Sequence, residues 1–321
     1  MPLLNSLSLI FLSFFATFVA ADTVFVTLEK EHALAVIDGN TGKLLQKLAV
    51  GQRPRGILLS KDQKQLYVAL SDEQQIKIID IATLEPAGSF PSVKDPKTFA
   101  LSPNGHSLYV SNDDANLLAV IDIPSKQILK QLKIAKEPEG VTVSPDGKWI
   151  ISTSEAENLA EWIDSDTLTS VDKTAVPARP RASEFTADGQ QLWVSSENAA
   201  QLTIIETKTR KPLKTITFEL PDQTKANIKP VGIRIDQHRR YAYVALGRAN
   251  HLAVIDAQKL EVLKYIPVGQ RVWHIAFSPD EQRLYTANGL SGDVSIINLA
   301  NHEVLKSVTV GEFPWGIAVK P

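Results

Sequence analysis

Charged and aromatic side chains recur in this sequence on both sides of a position that is proline in six of its seven occurrences. The residues that follow this position are Arg55, Lys97, Glu139, Arg181, Val231, Trp273 and Trp315, and those that precede it are Arg53, Asp95, Glu137, Arg179, Lys229, Arg271 and Phe313. Guanidinium groups bind carboxylates through two parallel hydrogen bonds, and indole rings offer flat apolar faces. Brought together, these side chains would form a pocket for a small anionic, partly planar ligand.

Two interpretations of these charges stay open at the level of sequence. Seven of the flanking residues are Arg or Lys and three are acidic, which favours anion binding. The basic residues could instead pair with those acids and with carboxylates of a second set of loops, namely Asp72, Asp113, Asp114, Glu155 and Glu197. The tryptophans could likewise pack between repeats instead of stacking on a ligand. If these side chains line an opening, replacing one should affect binding more than stability.

Three further residues are unusual for their place in the repeat, and they complete the candidate ligand-binding set. His274 stands where the other repeats carry Gly, Ala or Thr, so its imidazole either lines a channel or fills a local void. Glu184 and Arg234 occupy a slot that is apolar or small in the other repeats. Isolated charges on inner strands are costly unless they are paired, so we expect an ion pair between these two. No catalytic residue and no metal ligand is predicted.

These positions recur because the whole chain is repetitive. A Val/Ile-rich run closes seven times on an acidic or amide residue, and the steps between these residues are 42 except for one of 50. The residues are Asp38, Asp80, Asp122, Asp164, Glu206, Asp256 and Asn298. Seven strand-and-turn repeats of this length predict an all-β fold, a seven-bladed β-propeller of four-stranded antiparallel blades. We expect the repeated acidic side chain to cap the turn after each third strand.

The two ends of the repeat array are incomplete in complementary ways. After residue 22 the chain begins with a second-strand motif at 24–27, and it stops at a first-strand motif at 315–319. The C-terminal strand should therefore pair with the N-terminal blade and close the ring, which removes free sheet edges. The longer step places an insertion at 218–228, on the same face as the proline-flanking residues, where repeat proteins often bind their partners.

The first 21 residues have the character of a secretory signal peptide. Residues 3–21 are apolar apart from small polar side chains, and Val19-Ala20-Ala21 fits a cleavage site before Asp22. An uncleaved anchor is the alternative, because the segment has no Lys or Arg. We expect residues 22–321 to form a periplasmic propeller without stable membrane insertion after cleavage.

Composition and motifs exclude several classes of protein. The absence of Cys excludes disulfides and thiolate metal sites, and a net charge of −2 argues against a nucleic-acid partner. No nucleophile elbow, phosphate-binding loop, dinucleotide fingerprint or paired-histidine zinc motif occurs, which favours a binding protein over an enzyme. A propeller lactonase is one alternative, and the only candidate catalytic residues for it would be Glu184, Arg234 and His274. A quinone- or tetrapyrrole-handling propeller is another.

Several stretches resemble known propeller repeats. Gln52-Arg-Pro-Arg-Gly56, Tyr67-Val-Ala69, Tyr109-Val-Ser-Asn112, Ser144-Pro-Asp-Gly147 and Tyr243-Val-Ala245 resemble the YVTN β-propeller family, over about residues 23–320. The segments 182–197, 229–234, 268–273 and 310–315 resemble, more closely, the PQQ-dependent catabolism-associated β-propeller proteins. This resemblance implies a non-catalytic periplasmic binding or scaffold protein, associated with quinoprotein alcohol oxidation. A quinoprotein dehydrogenase or a small anionic ligand would be its partner, and PQQ enters only by that association.

The leader yields the first testable expectation. We expect the exported protein to begin at Asp22 or within a residue or two of it, because the small side chains at 19 and 21 suit signal peptidase. Intact-mass measurement of the periplasmic fraction checks this. A full-length, membrane-bound product would contradict both the cleavage and the periplasmic location.

Overall fold

The structure is a computed structural model that describes residues 22–91 and 94–321, so the predicted leader lies outside it. Within these residues every element is a β-strand, and no helix could cross a membrane. The strands are β1 Thr23–Leu28, β2 Ala33–Asp38, β3 Lys43–Ala49, β4 Pro54–Leu59, β5 Gln65–Leu70, β6 Gln75–Asp80, β7 Pro86–Phe90, β8 Pro96–Leu101, β9 Ser107–Asn112, β10 Leu117–Asp122, β11 Gln127–Lys133, β12 Pro138–Val143, β13 Trp149–Ser154, β14 Leu159–Asp164, β15 Thr169–Ala175, β16 Pro180–Phe185, β17 Gln191–Ser196, β18 Gln201–Glu206, β19 Lys211–Thr217, β20 Ile233–Ile235, β21 Tyr241–Ala245, β22 His251–Asp256, β23 Glu261–Pro267, β24 Val272–Phe277, β25 Arg283–Asn288, β26 Asp293–Asn298, β27 Glu303–Thr309 and β28 Pro314–Lys320.

The strands form seven four-stranded sheets, which confirms the predicted seven-bladed propeller. Blade 1 has the order β28-β1-β2-β3, and blades 2 to 7 take successive groups of four strands from β4 to β27. In blade 1, β28 pairs with β1 from Thr23↔Lys320 to Leu28↔Pro314. The last strand of the chain therefore supplies the innermost strand of the first blade, and the ring closes as predicted.

The middle strands of each blade are apolar on both sides because neighbouring blades cover them. Tyr67 and Phe90 of blade 2, for example, pack in one cluster with Phe99 and Leu108 of blade 3. The outermost strands are exposed along most of their length. The core is thus a series of blade-to-blade interfaces arranged around the central channel.

The residue that closes the third strand caps the following turn in six blades, as the sequence predicted, whereas Glu206 bonds only to the hydroxyl of Thr209. In blade 1, Asp38 Oδ1 accepts hydrogen bonds from the backbone N–H groups of Asn40 and Thr41, at 3.0 and 2.8 Å. Asp80, Asp164 and Asp256 make the same pair of bonds in other blades. These carboxylates hold turns in place on the face opposite the proline-flanking loops.

The first strands of neighbouring blades approach one another very closely around the channel. A Cβ added to Gly56, Gly140 or Gly316 would collide with the backbone carbonyl oxygen at the second position of the next blade's first strand. This close approach explains why the slot that contains His274 is small in the other repeats. It also makes those carbonyl oxygens acceptors that the preceding blade must satisfy.

Hydroxyl groups on four second strands satisfy these carbonyl oxygens across the blade boundary. They are Thr27 to Arg55 O at 2.8 Å, Ser111 to Glu139 O at 2.9 Å, Thr153 to Arg181 O at 2.9 Å and Ser195 to Val231 O at 2.6 Å. Each bond joins one blade to the next near the channel, so the ring of first strands is held by polar contacts as well as by the apolar interfaces.

Removing β28 should destabilise the protein severely. Trp315 and Ile317 are 3% and 6% exposed, and a large apolar side chain contributes about 1.5–3 kcal/mol on burial. Deleting 315–321 should therefore cost several kcal/mol and expose a sheet edge. Deleting the seven exposed-loop residues 221–227 is the matched control and should cost far less. Thermal denaturation followed by circular dichroism compares the two, and melting of the truncated protein within a few degrees of the parent would contradict this account of closure.

Candidate functional site

Two sets of loops meet at one end of the channel, which we call the mouth: those that lead into the first strands and those that join the second and third strands. The residue before the proline position adopts a left-handed backbone, with φ between 45° and 60°, in six blades. In blades 4, 5 and 7 its N–H donates to an asparagine of the preceding blade: Glu137 to Asn116, Arg179 to Asn158 and Arg271 to Asn250, at 2.8–2.9 Å. These bonds fix how the chain enters the first strands and where their flanking side chains lie.

Arg181 is the centre of a buried ion cluster at the mouth. Its Nη2 lies 3.0 Å from Glu139, its Nε lies 3.7 Å from Glu197, and Nη1 is bonded to Glu155. Arg179 bridges Glu155 and Glu197 at 3.0 Å each. Arg181 is only 8% exposed. The expectation that its replacement would spare stability is therefore wrong, because removing it would leave three carboxylates without their shared partner.

The cluster continues through blades 4, 3 and 2. Lys97 bonds to Asp113 and lies 2.9 Å from Glu139, and Arg55 lies 3.2 Å from Glu29. Burial raises the pKa of Glu139, but the charges of Arg181 and Lys97 outweigh it and bring that pKa to about 2. Glu139 is consequently an anion at any physiological pH and stabilises its two cationic neighbours.

This half of the mouth is neutralised from within, which changes the interpretation of its charges. Five cations are paired with six carboxylates: Arg53, Arg55, Lys97, Arg179 and Arg181 with Glu29, Asp72, Asp113, Glu139, Glu155 and Glu197. The positive excess counted from the first loop set alone is lost, because the second loop set supplies the counter-charges. Pairing, one of the two interpretations left open by the sequence, is what the structure shows here.

The opposite half of the mouth is aromatic instead of ionic. The turn position that carries the carboxylates of Glu29, Asp113, Glu155 and Glu197 is glycine in blades 6 and 7, at 247 and 289. The indole Nε1 of Trp273 lies against Gly289, where a Cβ would be only 2.6 Å away. The glycine thus makes room for the ring. Trp315 is 3% exposed, so most of its ring packs between blades.

A group of three basic residues lies beside these rings without carboxylate partners among the described residues. The guanidinium of Arg271 stacks on Trp273 at 4.3 Å, and Lys229 bonds to the neutral amide of Asn198 at 2.8 Å. Burial and the neighbouring charge of Arg248 lower the pKa of Arg271. Arg248 itself is exposed. We call Lys229, Arg248 and Arg271 the basic patch, and it is where the mouth keeps a positive excess.

His274 lines the channel at the boundary between blade 7 and blade 1. Its Nδ1 lies 3.1 Å from Trp315 O, and its ring lies 4.2 Å from the Trp315 ring. A carbonyl oxygen can only accept, so Nδ1 carries the proton and Nε2 is left as an acceptor in the neutral ring. The second strand of blade 7 has Ala287 where four other blades have a bonding hydroxyl. The imidazole therefore supplies the inter-blade bond that this blade otherwise lacks.

Glu184 and Arg234 form the ion pair that their unusual slot predicted. Arg234 Nη1 lies 2.8 Å from Glu184 Oε2, and Glu184 Oε1 accepts the N–H of Ile235 at 3.0 Å. Burial raises the pKa of Glu184, while Arg234 and this N–H oppose the rise. The pair lies further down the channel than the ion cluster.

The candidate residues from separate blades therefore converge on one channel, but at different levels. A cavity of about 150 Å³ is lined by Glu139, Arg181, Arg234, His274 and Trp315. Arg55, Lys97, Arg271 and Trp273 lie around the mouth without lining this cavity, and Glu184 lies behind Arg234. Sequence reasoning missed Glu29, although it stands 84 residues before Asp113, twice the repeat length.

Comparisons with known proteins agree with a β-propeller. Family models match two parts of the chain, a choice-of-anchor I domain at 126–282 and a YNCE-like β-propeller at 72–148. No curated protein matches the sequence. Among solved structures, hydrazine synthase from Kuenenia stuttgartiensis is 22% identical with a TM-score of 0.77, and the alignment covers 87% of this chain and 92% of that one.

Two further structures share the fold. A proposed 6-phosphogluconolactonase from Bacteroides uniformis is 15% identical with a TM-score of 0.78, covering 94% of this chain and 99% of that one. Dihydro-heme d1 dehydrogenase NirN is 16% identical with a TM-score of 0.71, covering 92% and 74%. At such identities these matches show the architecture alone, and the class of protein they define is a β-propeller.

His274 should make stability depend on pH in the acid range. Burial, with the charges of Arg181 and Arg234, lowers its pKa from 6.5 to about 4, although Trp315 O and Glu139 oppose the shift. Between these values the unfolded chain binds a proton that the folded protein does not, so the free energy of unfolding falls as pH falls. One pKa unit corresponds to about 1.4 kcal/mol, so the loss should approach about 3 kcal/mol.

Urea unfolding at several pH values measures this effect. In His274→Asn the amide nitrogen can replace Nδ1 as donor without titrating, so the variant should lack that part of the loss. His106→Asn, on an exposed turn, is the control and should follow the parent. Identical pH dependence of the parent and His274→Asn would refute the assignment.

Proposed function

We propose that this chain is a periplasmic, non-catalytic β-propeller that binds a quinoprotein dehydrogenase and thereby supports PQQ-dependent alcohol oxidation. The resemblance of four segments to PQQ-dependent catabolism-associated propellers supplies the choice of partner, and the leader supplies the compartment. The basic patch is the observation that supports a binding surface. PQQ belongs to the partner in this proposal, and no cofactor is assigned to the propeller.

The basic patch has the character of a docking surface because its charges are uncompensated while the rest of the mouth is neutralised. The positive charges of Arg248 and Arg271 repel each other, and an acidic partner surface would relieve this repulsion. Leu290 lies beside the patch, since its N–H donates to Gln270 O, and it is 54% exposed. A basic group next to an exposed apolar side chain suits a protein surface better than a simple anion.

The inner channel supports binding more than the lactonase alternative. Its carboxylates are already engaged: Glu139 by Arg181 and Lys97, and Glu184 by Arg234. The N–H of His274 donates a hydrogen bond to Trp315 O. Among the described residues no group of three or more His, Asp or Glu side chains could hold a metal ion. Nε2 of His274 is the candidate base that remains, and both carboxylates that could act with it are held in ion pairs.

The size of the channel bears on the tetrapyrrole alternative. The upper cavity measures about 150 Å³, a volume that in another protein accommodates benzene. A tetrapyrrole is several times larger and would have to bind outside, over the mouth. The half of the mouth around Arg181 is occupied by ion pairs. A protein that binds at the basic patch is therefore better supported than a tetrapyrrole.

Charge reversal tests the proposal. We expect Arg248→Glu to weaken binding of the purified quinoprotein alcohol dehydrogenase of the same organism about tenfold or more, because an attraction becomes a repulsion at an exposed site. Surface plasmon resonance with the dehydrogenase immobilised measures the affinity. Binding by the parent should also weaken as salt is raised, since exposed charges are screened.

Lys64→Glu is the matched control, with the same change in net charge on an exposed turn of the opposite face. It should change the affinity less than twofold, because the effect of the patch is local at moderate salt. An equal loss in both variants would show that only net charge matters. Absence of binding by the parent would refute the scaffold role.

A further inference from the structure

The channel contains a second candidate site, distinct from the basic patch. Two cavities follow one another along it, of about 150 and 370 Å³, and both are lined by Ile57, Leu58, Arg234 and Ile317. Arg234 therefore lies at the boundary between them. The lower cavity leads to the face opposite the mouth, between the first strands and the turn that contains Glu281.

The walls of this passage are predominantly apolar. They include Ile57, Leu58, Phe99, Val141, Phe277 and Ile317, from blades 1, 2, 3, 4 and 7. A cation set in an apolar passage is expensive, and nothing in the fold requires one there, because blades 2, 3, 4, 7 and 1 carry Leu, Ala, Thr, Ala and Ala in the same slot. A charge kept where the fold does not need it points to a ligand.

Arg234 has hydrogen-bonding capacity left over. Its Nη1 serves Glu184 and Ile233 O, at 2.8 and 3.0 Å, while its other guanidinium nitrogens have no partner among the described residues. The side chain is 43% exposed although it stands in the channel. The free N–H groups of Arg234 are therefore accessible from the channel.

The surroundings of His274 are locally positive, because Arg181 and Arg234 each act more strongly on it than Glu139 does. Since His274 is itself neutral and already bonded to Trp315 O, it adds no competing charge. An anion bound beside Arg234 would be stabilised at this point of the wall.

We propose that the channel binds a monocarboxylate with a small apolar or aromatic body, such as benzoate. The free N–H groups of Arg234 receive the carboxylate, and the body lies against the apolar walls. Glu184 is a positioning residue in this site, because it holds the guanidinium in place while competing with the ligand for it. The proposal does not depend on the docking of a protein at the basic patch.

The test is isothermal titration calorimetry of the purified protein with benzoate, with benzyl alcohol as the neutral ligand of matched size. Benzoate should bind about tenfold or more tightly than benzyl alcohol, since bonds to charged groups are the stronger ones. Removing the competing anion in Glu184→Gln should make benzoate bind more tightly. A pair with a purely structural role would give no such gain.

Arg234→Ala alone would leave a buried carboxylate unpaired, so the decisive variant is Glu184→Thr/Arg234→Ala. It gives both slots side chains that the repeat already uses in blades 4 and 7, and it should fold and lose benzoate binding at least tenfold. Arg248→Glu should bind benzoate as the parent does, which separates this site from the mouth. Retained binding in the folded double variant, equal affinity for benzyl alcohol, or no binding of benzoate to the parent at millimolar concentration would overturn the proposal.

Discussion

The close approach of the seven first strands is the constraint on which the rest of this molecule depends. In four blades a carbonyl oxygen of one strand lies so close to the Cα of its neighbour that a Cβ would collide with it, at Gly56, Gly140, Gly232 and Gly316. The same approach creates a ring of buried acceptors. Hydroxyls such as Thr27 and Ser195 satisfy these acceptors, and at the last boundary His274 takes over that role. A residue that looks functional in sequence is thus also part of the ring's framework.

Proximity also explains why the mouth is divided into two chemically different halves. Where the turn of a blade carries a carboxylate, an Arg or Lys of the same blade or of the next lies within ion-pair distance. Where the turn carries Gly247 or Gly289, the residue after the proline position of the next blade is Trp273 or Trp315, respectively. The ion pairs of the mouth are therefore confined to one arc, and the basic patch lies beyond it with its charges unbalanced.

The sequence predicted the features that follow from repetition. The period gave the number of blades, the capping role of Asp38 and its equivalents followed from turn chemistry, and the complementary ends predicted the pairing of β1 with β28. The contact between Glu184 and Arg234 followed because equivalent slots of adjacent blades must be neighbours. All of these depend only on the order of residues within a repeat and the order of repeats in the ring.

The sequence did not decide which charges pair or how deeply they are buried. Arg181 and Glu155 are 26 residues apart, and their contact depends on how two blades are set against each other. The repeat does hold part of this information. Glu29, Asp113, Glu155 and Glu197 occupy the same position when the repeats are aligned, and comparing that position with the Arg and Lys residues of the same blade and of the next would have indicated the pairs. The burial of Arg181 also depends on how the loops above it pack, and an alignment of the repeats does not show that packing.

The seam in blade 1 has a consequence for how the ring can be cut. Thr23 and Lys320 are paired neighbours, on the face away from the mouth. A few linking residues could join them, and new termini could then be opened at a turn between any two blades, with all seven sheets kept whole. The seven blades are geometrically equivalent, and the order of the chain determines only at which blade it begins and ends. A protein held to a support through this seam would present its mouth outward, to the solution.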